Sequence, residues 1–271
     1  MDPQSLSTRV RRLAALKRRS ERDESSVFLM EGPQGLKVLS QHPKRANEVW
    51  ITAEARERYA VEVAALEAVN VPIIECSDED IDKMTSTQHP QGVLAVVSKA
   101  DVDLLPSDLS ISLAVMLVAA SDPGNVGTVI RTADAAGADL VILTEGSVDL
   151  YNPKLVRATA GSILNVTLLA DVDFYSAARM LRERGVQLVG TALDAEALAG
   201  REAWLGEPVC WVLGNEAHGL GGAELDAMDR VAQIPIFGAA ESLNMASAAA
   251  ICLYQSALAR SEHGTAAAKA K

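Results

Sequence analysis

The chain of 271 residues is short of several residue types, and each shortage excludes something. Its three cysteines, Cys76, Cys210 and Cys252, lie far apart and are odd in number. They give neither a disulfide framework nor a CxxC metal pair, and a reducing cytoplasm suits them. The four histidines, His42, His89, His218 and His263, are scattered without H-E-x-x-H spacing, so no metal is expected. Apolar runs such as Leu113 to Ala120 fall short of the roughly 18 residues of a membrane span. The beginning lacks the apolar region of a signal peptide, and no membrane is expected as a partner. Basic charge is scarce as well: 25 Lys and Arg face 36 Asp and Glu, a net charge of -11. As an average, that opposes a protein that coats nucleic acid by charge.

The distribution of charge is uneven. Residues 1–22 hold seven basic side chains (Arg9, Arg11, Arg12, Lys17, Arg18, Arg19 and Arg22) and two acidic ones, net +5, leaving -16 for the remainder. A hydrophobic content of 49% with 23% charged residues fits a folded chain of one large or two ordinary domains. Residues 1–25 form a basic segment in which Val10, Leu13 and Leu16 share one face of a short, partly docked helix. Between 26 and 98 the pattern alternates: extended Val27 to Met30, helical Gly35 to Ser40, extended Glu48 to Thr52, helical Glu54 to Val69, extended Val71 to Cys76. Ser77 is placed to cap a helix through Met84, and Gly92 to Val97 reads as a last strand. This predicts a small α/β domain. Residues 99–112, acidic and containing Pro106, read as a linker.

From 113 to 262 apolar strands are expected at Leu113 to Ala120, Asp139 to Leu143, Asn165 to Leu169, Val186 to Thr191, Val209 to Leu213 and Arg230 to Ile234. Helices lie between most of them: Val126 to Ala136, Pro153 to Ala160 and Phe174 to Arg184, each followed by glycine at the left-handed C′ position. That alternation predicts an α/β fold with a mostly parallel sheet. A final helix over Leu243 to Ser261 is apolar or small nearly all round, which predicts burial on several sides. Residues 263–271 read as a flexible tail.

An α/β sheet binds ligands at the carboxyl ends of its strands. Three strand-following loops are rich in Gly, carboxamide and hydroxyl groups: Ser121 to Gly127 leading to Arg131, Leu213 to Gly219, and Pro235 to Met245. The first offers G-x-x-G rather than G-x-G-x-x-G, and Gly214 to Gly219 is followed by Leu220 rather than Lys, so both phosphate-loop readings are weak. Asn125 is equally able to cap a helix from Val126, Ser242 the last helix, and Glu216 and His218 to be loop surface. Arg131 has the strongest case, as an arginine inside an otherwise apolar and small helix.

The ordered trio NxGxxxR (Asn125, Gly127, Arg131), LGNExxG (Leu213 to Gly219) and IPI…ESLNMASAAAI (Ile234 to Ile251) resembles the SpoU/TrmH group of SPOUT RNA 2′-O-methyltransferases. FLMEGPQGLKVLS and QGVLAVV upstream resemble the L30e-like substrate-binding domain that precedes the catalytic domain in many members. The resemblance implies a deep trefoil knot in the C-terminal part of the sheet, an exception to unknotted topology. It also implies a homodimer and S-adenosylmethionine as cofactor, held at Thr191, Ala192, Leu213, Gly214, Ile234, Ile236, Leu243 and Met245. The catalytic positions it implies are Arg131, Asn125, Glu216, Ser242 and Asn244. Methylation of a ribose 2′-hydroxyl follows, with 23S ribosomal RNA favoured as substrate. The alternatives are a tRNA methyltransferase and a noncatalytic RNA-binding or ribosome-assembly factor. Within the basic segment, Arg18 and Arg19 are the expected RNA contacts.

Overall fold

A computed structural model describes residues 3–100, 102, 105–200 and 202–269 of the chain. In order, the chain forms α1 (Pro3–Ala15), α2 (Arg19–Asp23), β1 (Val27–Glu31), α3 (Pro33–Gln41), β2 (Ala46–Ile51), α4 (Ala53–Arg58), α5 (Ala60–Glu67), β3 (Ile73–Glu75), α6 (Asp78–Met84) and β4 (Val93–Ser98). It continues with β5 (Leu113–Leu117), α7 (Pro123–Ala135), β6 (Leu140–Thr144), α8 (Pro153–Ala158), β7 (Thr167–Val172), α9 (Phe174–Glu183) and β8 (Gln187–Ala197). The last elements are β9 (Val209–Leu213), α10 (Gly222–Asp226), β10 (Arg230–Gln233) and α11 (Met245–Lys269). These fall into two compact units, Met1–Ala100 with Asp149–Leu164, and Asp101–Val148 with Asn165–Lys271.

In the first unit four strands lie in the order β1-β4-β2-β3, with β4 antiparallel to both neighbours and β2 parallel to β3. The basic amino-terminal helix is part of its core. Val10, Leu13 and Leu16 are buried with Trp50, Ile74, Ile81, Met84 and Leu94, at roughly 1.5–3 kcal/mol for each large side chain removed from water. The expected capping of α6 is present as a full box, Ser77 accepting from the Asp80 N–H and Asp80 from the Ser77 N–H. The helix expected over Glu54 to Val69 is instead two, α4 and α5, with Tyr59 between them.

The segment Asp149–Leu164, assigned by sequence to the 113–262 domain, belongs to this first unit. Asn152 caps α8 by accepting from the Lys154 N–H at 2.9 Å, and Arg157 reaches Glu31 on β1 at 3.1 Å. Gly161 has φ +96°, and a Cβ there would stand 2.6 Å from the Val38 side chain. The strongest tie is Arg22, only 4% exposed. Its Nε and Nη2 donate to Asp149 Oδ2 at 2.8 and 2.6 Å, and its Nη1 donates to the carbonyls of Leu16 and Lys17.

The second unit is a six-stranded sheet in the order β10-β8-β9-β5-β6-β7, parallel throughout. Central β5, β6 and β9 are buried at every position, as expected of strands covered on both faces. The chain builds outward from β5 through β6 to β7, then restarts on the other side with β8, and β9 enters between β8 and β5. Such a reversal opens a crevice at the carboxyl ends of the strands. Two spans run longer than the sequence suggests. Strand β8 continues to Ala197, and α11 to Lys269 rather than ending near Ser261, in keeping with its alanine-rich sequence. Of the expected flexible tail, only residues 270 and 271 lie outside the described residues.

Breaking the buried ion pair leaves an uncompensated charge, a change that costs about 3–5 kcal/mol. Asp149→Ala is therefore expected to destabilise the first unit by that amount in urea denaturation. A loss under about 1 kcal/mol contradicts the role given to the pair.

Candidate functional site

In the second unit, loops leaving β5, β9 and β10 converge with β8 on a cavity of about 670 Å3, within the roughly 300–1,000 Å3 range of small-molecule sites. Thr191, Ala192, Leu213, Gly214, Ile234, Ile236, Leu243 and Met245 all line it, as do Asn125, Glu216, Ser242 and Asn244. Arg131 does not. It is exposed on α7, and its side chain makes no hydrogen bond or ion pair among the described residues. The apolar and small character of α7 around it reflects the helix face turned to the core, where Val126, Val129, Ile130 and Ala133 are buried.

Local structure explains how the lining is held. Asp-Pro is a cap followed by a first-turn proline, and Asp122 accordingly caps α7, accepting from the Asn125 N–H at 2.8 Å. Asn125 is thus inside the helix and not its cap, so its side chain is available for other contacts. Ser242 does not cap α11 either. That role falls to Asn244, whose Oδ1 accepts from the Ala246 N–H at 2.8 Å. Asn244 Nδ2 donates to Asn125 Oδ1 at 2.9 Å, and Asn125 Nδ2 donates to Glu216 Oε1 at 3.3 Å. One chain of hydrogen bonds therefore joins the loops that follow β10, β5 and β9.

The Glu216 carboxylate also accepts from the backbone N–H groups of Ser121 and Asp122, each at 3.3 Å. Partial burial pushes its pKa up, but hydrogen bonds from its own backbone N–H, Ser121, Asn125 and Asp122 outweigh that and hold it below the ordinary carboxylate value. It is an exposed carboxylate, but one held in place by these hydrogen bonds. His218 lines the cavity as an exposed residue.

The sequence reading missed Asn215. Its Nδ2 donates to the Ala119 carbonyl at 2.7 Å, while its Oδ1 accepts from the Ala217 N–H at 2.9 Å. The second bond is an Asx turn, legible in principle from Asn at the head of a Gly-rich loop. Ala119 has φ +47°, a left-handed conformation that is uncommon for a residue with a Cβ and concentrates at functional sites. Glycine at 214 is dictated by close approach, since a Cβ would stand 2.0 Å from the Gly219 backbone carbon. Thr191 and Ala192 are not at a strand end. They occupy the stretch of β8 beyond Gly190 where pairing to β9 stops and the register with β10 slips.

The basic segment differs from a loose arm. Arg18 pairs with Glu21 at 2.7 Å and Arg19 with Asp23 at 3.6 Å. Arg9 pairs with Glu48 and lies over the Trp50 ring, and Arg22 is buried against Asp149. Arg11 and Arg12 are the arginines of this segment with no acidic partner among the described residues. Among those residues no group of three His, Cys, Asp or Glu is placed to hold a metal, and no helix is long and apolar enough to cross a membrane.

Comparison with known proteins bears on this cavity. The SpoU rRNA Methylase family matches residues 112–254, and the MRM3-like substrate binding domain matches residues 7–95. The 23S rRNA (guanosine(2553)-2′-O)-methyltransferase RlmP of Bacillus subtilis is 33% identical over 240 residues, 87% of this chain and 90% of that protein. The 23S rRNA (guanosine-2′-O-)-methyltransferase RlmB of Nitrosomonas europaea is 31% identical, over 80% of this chain and 85% of its own. The crystal structure of the SpoU methyltransferase AviRb from Streptomyces viridochromogenes with the cofactor AdoMet has a TM-score of 0.81 at 27% identity. That likeness covers 94% of this chain and 99% of that one.

A carboxyl whose pKa is depressed on folding adds stability that is present above its unfolded pKa, about 4.3, and is lost as pH falls through the folded value. An NMR titration of the Glu216 carboxyl is expected to give a midpoint below that of the same carboxyl in the unfolded chain, moved upward by Asn125→Ala. A midpoint above that value, or one indifferent to Asn125, contradicts the network.

Proposed function

The chain belongs to the SpoU rRNA methylase family, and we propose that it transfers a methyl group from S-adenosylmethionine to a ribose 2′-hydroxyl of 23S ribosomal RNA. The observation that carries this reading is the chemistry of the cavity. Its described lining contains Glu216 and Glu241 but no Lys or Arg, which disfavours a polyphosphate cofactor and suits a cationic one. The tight backbone turn at Gly214, the apolar walls of Leu213, Ile234, Ile236, Leu243 and Met245, and the irregular β8 stretch at Thr191 and Ala192 fit S-adenosylmethionine. When bound, it supplies an electrophilic methyl on a sulfonium.

The residues of this chain have two tasks, orienting the acceptor hydroxyl and managing its proton. Asn125, Ser242 and Asn244 offer neutral hydrogen-bonding groups for orientation. Glu216 acts as a positioning anion, because a carboxylate held by several donors is a weak proton acceptor. Arginine remains protonated, with a pKa above about 12, so Arg131 acts by stabilising developing alkoxide charge and clamping phosphate.

We further propose a homodimer. Ile251, Tyr254 and Leu258, spaced i, i+3 and i+7 on α11, are 38%, 43% and 60% exposed, an apolar stripe suited to a second copy. Arg131 lies six residues beyond Asn125 on α7, about 240° further around the helix, so it is turned from its own cavity. In the dimer it serves the partner's site. The deep trefoil knot implied by the family belongs to the same proposal, as does a cytoplasmic location, where the RNA is. The basic segment and first unit engage RNA, with Arg11 and Arg12 taking the role expected of Arg18 and Arg19.

The test is transfer of labelled methyl from S-adenosylmethionine to 23S rRNA, with the modified ribose mapped. Arg131→Ala and Glu216→Gln homodimers are each expected to lose at least tenfold in kcat. Mixed dimers of the two are expected to regain activity, because one site then combines an intact Glu216 with the partner's intact arginine. Absence of ribose methylation despite donor binding refutes the enzyme, and inactive mixed dimers refute the shared site. Arg11→Ala with Arg12→Ala should weaken RNA binding and reduce its log–log salt slope by about 2, leaving donor affinity unchanged. The same loss with Arg18→Ala and Arg19→Ala instead would restore the original assignment.

A further inference from the structure

Phe237 is 98% exposed, the most exposed of the large apolar side chains described. It sits between β10 and α11, immediately after Ile236, in a connection whose later residues Glu241 to Met245 line the cavity. Four other aromatic rings of the second unit are paired, Phe174 with Tyr175 and Trp204 with Trp211, while Tyr254 on α11 is half-exposed. Phe237 makes no ring contact among the described residues. Residues 237–244 are all exposed, so nothing among the described residues buries the ring.

Resting on the methyl-transfer reading, we propose that Phe237 is a stacking platform for an unpaired nucleobase of the acceptor RNA, next to the ribose that receives the methyl. Electrostatics near the cavity favours this kind of contact. With two glutamates and no Lys or Arg in the described lining, phosphates find no lysine or arginine counter-charge there from this chain's own lining. Apart from Arg131 of the partner subunit, proposed above, binding energy at the reacting nucleotide then comes from a neutral surface. A base carries a π face whatever its sequence, and a reaction on a ribose in structured RNA requires the surrounding nucleotides to be splayed and held. An aromatic side chain fixed on the connection that also forms the donor wall meets that need, and it aligns the acceptor with the donor at no cost in charge.

The test uses the full-length protein and 23S rRNA. Phe237→Ala is expected to raise the RNA dissociation constant about 5- to 150-fold while S-adenosylmethionine affinity, by calorimetry, stays unchanged. Phe237→Trp is expected to retain binding, with its added indole fluorescence quenched by RNA. Phe237→Leu, apolar but without a π face, should behave like Phe237→Ala. Because no charge is removed, the slope of log affinity against log salt should be the same in all variants. A fully active Phe237→Leu variant, a changed salt slope, or a drop in sedimentation mass for Phe237→Ala would overturn the proposal, the last by assigning the ring to a second copy of the chain. The two readings fail separately. Wild-type transfer with normal RNA binding by Phe237→Ala refutes the platform alone. RNA-dependent quenching in Phe237→Trp without methylation by the wild type supports the platform and refutes the reaction.

Discussion

Glu216 extends from the loop after β9 to the first turn of α7, where backbone N–H groups lack helical partners and carry partial positive charge. The N–H groups of Ser121 and Asp122 donate to it, and so does Asn125, which in turn accepts from Asn244. Three loops from three strands thereby share one charge. Removing the carboxylate leaves donors at each of these positions without their acceptor, an asymmetry in which unmade bonds cost more than made ones contribute. The walls of the cavity depend on that attachment, because Gly214, Asn215 and Gly219 follow the same loop.

Asn215 complements Glu216 from the other side of its peptide. It bonds the carbonyl of Ala119, whose own N–H donates to Thr144 Oγ1 at 3.0 Å. The left-handed turn at Ala119 is held at both ends, which accounts for a strained residue persisting beside the site. The site is therefore rigid through short polar side chains carried on buried strands, a support that suits a reaction dominated by alignment.

Much of this was legible in the sequence. Parallel strands showed as unbroken apolar runs, and the three motif loops followed them in order, so the positions lining the cavity were readable one by one. Capping was not. Asn125 and Ser242 look like caps because of residue type, but Asp122 before proline and Asn244 before Met245 hold those places, and the difference lies in one or two residues of helix start. Arg131 looked like a member of the cavity because motifs are read along a line, whereas helical geometry turns it away. The arginines of the amino-terminal segment looked alike in sequence, yet Arg22 is buried and Arg18 and Arg19 face nearby carboxylates. Only folding assigns their partners, and Asp149 lies too far along the chain for any local pattern to name it.

That distance also governs when the first unit can form. Its sheet is complete once Ser98 has been made, but Asp149, Tyr151 and Arg157, which engage Arg22, Phe28 and Glu31, come only after β5, α7 and β6. At synthesis rates of about 5–20 residues per second, the wait from residue 100 to residue 164 is roughly 3–13 s. Until residue 149 is made, roughly the first 2–10 s of that interval, Arg22 lacks its Asp149 partner, and the chain being made must enter the second unit before it can finish the first. The two units are thus interleaved in time, and neither is released as an independent, finished body before the other has begun.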